Sequence, residues 1–139
     1  MSKPQDRLYV GKGDREIVEK IEKNNYFNFK DKSRKEQFMF ALAYGVKSDI
    51  KNVEIKNKDE WFFSKDLQPK DKALLYSCAI YKEDNISVLK DINNVYRIAQ
   101  NYAHIGFKFL SGLIDRESFG AVEKKFETEV KNEYEELFE

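Results

Sequence analysis

An all-α fold, a bundle of five or six helices with at most a minor β element, is what this sequence predicts. Three observations predict it. Apolar residues recur at three- and four-residue spacing over most of the chain, helix-start and helix-stop residues bracket those runs, and the clearest run of strand composition is the short Arg7-Leu8-Tyr9-Val10. The 139 residues suit one helical domain, 1–139, with 1–13 an extended or flexible N-terminal segment.

Taken in order, Arg7–Val10 reads as a short strand closed by Gly11 and Gly13. Asp14 then suits the cap of a helix whose Ile17, Val18 and Ile21 share a face, ending near Asn24-Asn25. The aromatic linker Tyr26-Phe27-Asn28-Phe29 is expected to pack down on the core. Ser33 followed by Glu36 is a capping box, so residues 34–44 are expected to be helical, with Phe38, Ala41 and Leu42 inward and Gly45 as the stop. Residues 46–66 carry Ile50, Val53 and Ile55 singly among charges before Trp61-Phe62-Phe63, the pattern of a loop or short strand anchored by its aromatic end.

Pro69 suits the first position of a third helix running to about Tyr81, apolar on most sides and the expected central helix. Asn85 caps a short turn through Leu89. Asp91 opens a long helix with Val95, Ile98, Ala99, Tyr102, Gly106, Phe109 and Leu113 on one stripe, and Ala103 and Gly106 leave room for another helix. After a break at Asp115-Arg116, Ser118 is the expected cap of a final helix with Phe119, Val122, Phe126, Val130, Tyr134 and Phe138 on one face.

Chemistry is sparse. The single histidine, His104, lies beside the long helix's apolar stripe, and a hydrogen-bonded structural role is the plainer reading of it. The single cysteine, Cys78, sits in an apolar run and reads as a small buried hydrophobe. One Cys and one His supply no tetrahedral zinc site without carboxylates. Gly11-Lys12-Gly13 lacks the spacing of a phosphate loop. No enzyme activity, cofactor or metal is therefore expected.

The 25 basic and 25 acidic residues cancel overall, but residues 1–70 hold 16 basic and 12 acidic side chains and residues 71–139 hold 9 and 13, a split of +4 against −4. No leader-like or membrane-spanning apolar stretch occurs, so a cytoplasmic protein with no membrane partner is expected. Strand, helix, turn and capped helix from Arg7 to Lys47 follow the order of a ribbon-helix-helix unit. On that reading the chain is a homodimeric DNA-binding regulator paired through Arg7–Val10, with Arg7, Lys12, Lys30, Lys32, Arg34 and Lys35 as the candidate DNA contacts. Tyr26, Phe27, Phe29, Trp61, Phe62 and Phe63 form a candidate partner patch to the extent that they escape the core.

Lys35-Glu36-Gln37-Phe38-Met39-Phe40-Ala41-Leu42-Ala43-Tyr44-Gly45-Val46-Lys47, the later Trp61, Ala79-Ile80-Tyr81 before Ser87-Val88-Leu89, and Ile98 to Gly106 ending in Phe109-Leu110 together resemble the family of Dnd system-associated protein 4. The resemblance spans roughly residues 7–115, and His104 stands where that family usually carries glycine. It implies a non-enzymatic accessory protein of a prokaryotic DNA-modification (phosphorothioation) or antiviral defence system. Such a protein would act by binding another protein of that system, with DNA as a further candidate partner. A phage-encoded inhibitor of such a system is the remaining alternative.

Overall fold

The computed structural model describes residues 3–48, 53–116, 128–129 and 131–132. Along them run strand β1 (Arg7–Gly11), helix α1 (Asp14–Lys23), a 3-10 turn (Tyr26–Asp31), helix α2 (Arg34–Lys47), strand β2 (Lys58–Phe63), a second 3-10 turn (Ser64–Asp66), helix α3 (Pro69–Glu83), a third (Ile86–Lys90) and helix α4 (Ile92–Arg116). The fold is mainly helical with one small β element, as the periodicity predicts. Of the expected final helix, residues 128–129 and 131–132 are helical; its Ser118 cap and apolar stripe lie outside the described residues.

α4 is the central helix. Its start is capped by the Asp91 carboxylate, which accepts hydrogen bonds from the Asn93 and Asn94 amides at 3.1 and 3.3 Å. One side packs on α2: Tyr44 stacks on Phe109 with ring centroids 5.6 Å apart, and Gly106 and Gly45 sit against the opposing helix's backbone. The other side faces the strands, with Phe107 edge-on to Trp61 at 6.3 Å and His104 against Gly11. Val95, Ala99, Ala103, Phe107 and Leu110 have no exposed surface. The central position expected for α3 therefore belongs to α4, while α3 buries only Asp71, Leu75, Cys78 and Ala79 and leaves Leu74 and Tyr81 in solvent.

Gly45 does not stop α2, which continues to Lys47. A glycine ends a helix when the chain must turn left-handed; no glycine among the described residues has positive φ. Here the missing side chain serves contact, because a Cβ on Gly45 would lie 2.6 Å from the Tyr102 carbonyl carbon. The Ser33 capping box forms as the spacing predicts: the Glu36 amide donates to Ser33 Oγ at 3.2 Å, and the Ser33 amide donates to Glu36 Oε1 at 3.0 Å. The Asn85 side-chain Oδ1 likewise accepts from the Ser87 amide at 2.9 Å.

In the 3-10 turn before α2, Phe27 and Asn28 adopt φ of 57°. A left-handed non-glycine residue costs roughly 1–2 kcal/mol. Burying Phe27 and Phe29, at 4% and 0% exposure, contributes about 2–3 kcal/mol each, so the aromatic linker folds onto the core with both rings 5.4 Å from Phe40.

β1 and β2 pair antiparallel, Arg7 opposite Phe63 and Leu8 opposite Phe62, but Tyr9 opposite Glu60. Trp61 is thus the extra residue of a bulge. A regular strand would alternate faces; the bulge lets the consecutive Trp61 and Phe62 both point inward, at 5% and 8% exposure. On its other side β1 meets α4, where Gln100 Oε1 accepts from the Tyr9 amide at 3.1 Å. Leu8 and Val10 are fully buried. A ribbon shared between two chains needs β1 free to pair; here its partner is β2 of the same chain, fifty residues on.

At the head of α3, Asp71 accepts from the Gln68 amide and from Lys35, at 2.8 and 2.9 Å. Burial pushes its carboxyl up, but the hydrogen bonds from Lys35 and Gln68 outweigh that and leave it below the ordinary carboxylate range. A depressed folded-state value stabilises the fold above the unfolded value and loses that contribution as pH falls through the folded one. The denaturant midpoint should therefore drop on acidification below about pH 4, and Asp71→Asn should flatten that part of the profile in urea titrations at pH 3 and pH 6.

Candidate nucleic-acid interface

Outward of Trp61, three arginines from three elements converge: Arg7 from β1, Arg15 from α1 and Arg34 from the first turn of α2. With Asp59, Glu60, Trp61, Phe62 and Phe63 they line an open cleft of about 290 Å³. The Arg34 guanidinium lies 4.5 Å from the Trp61 ring centre and that of Arg15 5.2 Å. The indole is held from behind, its N–H donating to the Arg34 carbonyl at 2.9 Å. Such stacking contributes roughly 0.5–2 kcal/mol and fixes the plane of a flexible side chain.

The three cations differ in what they have left to offer. Arg15 Nε donates to Asp59 Oδ2 at 2.8 Å and its Nη2 to the Glu60 carbonyl at 3.0 Å. That bond holds the Asp59 carboxyl below, and the Arg15 guanidinium above, its ordinary value. Arg7 pairs with Glu60 and lies over Phe63 at 4.6 Å; its Nε is buried with no hydrogen-bond partner among the described residues. Arg34 is exposed and, among the described residues, has neither an ion-pair nor a side-chain hydrogen-bond partner. Its planar fork of donors, fixed on an indole and open to solvent, matches a phosphate or carboxylate.

Beside this cleft, sharing Asp59, lies a second of about 620 Å³ lined by Lys12, Lys56, Asn57, Lys58 and Asp59. Just past the paired ends of β1 and β2, the Lys12 amide donates to the Asn57 carbonyl at 2.9 Å. Together the clefts present six basic groups against Asp59 and Glu60, six of the sixteen basic side chains of residues 1–70.

Of the six basic residues expected to contact DNA, Arg7, Arg34 and Lys12 reach this face. Lys35 is turned aside to Asp71, 2.9 Å away, while Lys30 is exposed and Lys32 sits over Phe40 at 5.8 Å, and neither lines either of these two clefts. Arg15, Lys56 and Lys58 were not among the expected contacts; the only signal for them is the pairing of β1 with β2, which sequence spacing does not show. The aromatic group does not form a continuous patch either. Phe27, Phe29, Trp61 and Phe62 are buried and Tyr26 is half-buried, which leaves Phe63, at 42%, as the exposed ring. The physical reason is the left-handed turn that tucks in the first group and the bulge that turns in the second.

Elsewhere, Cys78 is 7% exposed and burial pushes its thiol up to about 11, the opposite of an activated nucleophile. His104 Nδ1 lies 2.7 Å from Asp14 Oδ2, which also accepts from the Gly11 amide at 2.8 Å. Asp14 is thus the first residue of α1 rather than its cap, and its carboxylate ties the end of β1 to α4. The flanking Gly13 makes no side-chain cap. Among the described residues no three His, Cys, Asp or Glu side chains gather as a metal-ligating group, and no helix is long and apolar enough to cross a membrane. Set against family models, curated proteins and solved structures, the chain matches none of them.

Proposed function

We propose that this chain is a non-enzymatic accessory protein that binds DNA on the arginine face described above and works with another protein of a prokaryotic DNA-modification or anti-phage defence system. The place in defence rests on the family resemblance. The DNA half rests on one observation, the Arg34 guanidinium stacked on Trp61 with no ion-pair or side-chain hydrogen-bond partner among the described residues, in a cleft shared with two further arginines. A fork of this kind binds a phosphate in two-point fashion at little cost in side-chain freedom. Lys12, Lys56 and Lys58 in the adjoining cleft extend the same field along a strand.

Fluorescence anisotropy with labelled DNA, single- and double-stranded, tests it. Affinity should fall with salt at a log–log slope of about −2 to −3, for roughly three phosphates released from their counterions. Arg34→Ala should weaken binding about tenfold and flatten the slope by about one. Lys30→Ala, off the face, should change nothing. No binding of either DNA form at low salt sinks the proposal.

A further inference from the structure

The outer face of the two-stranded sheet adds base-sized features to this phosphate-sized cleft. With Leu8 and Val10 inward, Arg7 and Tyr9 point out from β1, opposite Phe63 and Glu60 of β2. Phe63 keeps 42% of its surface in solvent, a large apolar ring with Arg7 at 4.6 Å and Lys65 at 5.1 Å. Lys58 stands 5.9 Å from the half-exposed Tyr9 ring. Two rings and three cations therefore share one face. Glu60, the one carboxylate among them, is held by Arg7.

A duplex offers such a face phosphates and groove edges but no base faces, because its bases are stacked on one another and paired. A single strand offers phosphates and base faces together. Tyr9 and Phe63 are diagonal across the strand pair, about 7 Å apart and well beyond the ~3.4 Å rise between stacked bases, so two bases seated on them are splayed. From this we infer that the sheet face binds single-stranded DNA, with bases stacked on Phe63 and Tyr9 and the backbone running along Arg7, Lys58 and Arg34. The inference deepens the DNA-binding proposal and stands on it.

The full chain is titrated into three labelled probes: an oligo-dT of fifteen nucleotides, the same length with abasic sites throughout, and a duplex. Oligo-dT is expected to bind about tenfold tighter than the other two. Phe63→Ala, at an exposed position, should cost about tenfold on oligo-dT and much less on the abasic and duplex probes, where it loses only its hold on Arg7. Glu60→Gln, which frees Arg7, should tighten binding of oligo-dT. Equal binding of all three probes, untouched by Phe63→Ala, overturns the stacking and leaves the DNA-binding proposal standing. Absence of binding to every probe removes both, and polyglutamate bound as tightly as oligo-dT reassigns the face to an acidic protein.

Discussion

Gly106→Ala is expected to cost about 3 kcal/mol or more, although alanine is the better helix former by roughly 1 kcal/mol. A Cβ at position 106 would lie 2.5 Å from the Ala41 carbonyl carbon and 3.0 Å from its Cα. What it meets is backbone of α2, which has no rotamer through which to yield, so the two helices must separate along their crossing. Gly45→Ala meets the Tyr102 backbone in the same way from the other side and should cost as much. Gly13→Ala is the control: nothing lies within 4 Å of its added Cβ, and its φ of −77° suits any residue, so stability should change by less than about 1 kcal/mol. Urea unfolding followed by circular dichroism distinguishes these outcomes; a Gly106→Ala protein as stable as the parent contradicts the close crossing.

Asp14→Ala should cost about 2–4 kcal/mol. The side chain is 1% exposed, and its Oδ2 accepts from the Gly11 amide and meets His104 Nδ1. Removing it leaves a buried amide and an imidazole without their partner, and each orphan costs roughly 1–3 kcal/mol. Gly11 belongs to the same arrangement, since a Cβ there would lie 2.6 Å from His104 Nδ1. A double-mutant cycle with His104→Ala should show a coupling of about 1 kcal/mol or more. Strict additivity in that cycle would mean that the Asp14–His104 contact contributes nothing to the fold.

The parts of the fold legible in the sequence are those whose partners are near neighbours. Ser33 and Glu36 are three residues apart, so their reciprocal bonds can be read from spacing. The same is true of Asn85 with Ser87, of Asp91 with Asn93, and of Pro69 at the first turn of α3. The 3-4 periodicity of α4 likewise announces its α2-facing side, including the small Gly106. It does not announce the side occupied by Gln100, His104 and Phe107, because their partners are polar backbone groups, one carboxylate and one indole from distant segments.

The candidate site was less legible than the fold. Arg7 and Arg34 stand out as cations beside elements that the pattern predicts, whereas Arg15 is one charge among many on the solvent side of α1. What makes it part of a cleft is Asp59, forty-four residues on. Cation runs such as Lys30-Asp31-Lys32 look equally capable of binding DNA in one dimension, yet they line neither of the two clefts. A lysine's charge is a property of the residue; the field it joins is set by which elements lie beside it.

By itself, then, the sequence determined the helical class, the Ser33, Asn85 and Asp91 caps, the position of the short strand, the buried cysteine and the positive bias of the front half, because each follows from local sterics, local hydrogen bonds or composition. Only the tertiary structure decided that β1 pairs with β2 rather than with a second chain, that Gly45 is a crossing point rather than a helix stop, that α4 rather than α3 is central, that Trp61 turns inward at a bulge, and that three arginines meet over it. Each of these depends on a contact between residues far apart in the chain, and such contacts are selected by how all the apolar faces pack together, which no window of sequence contains.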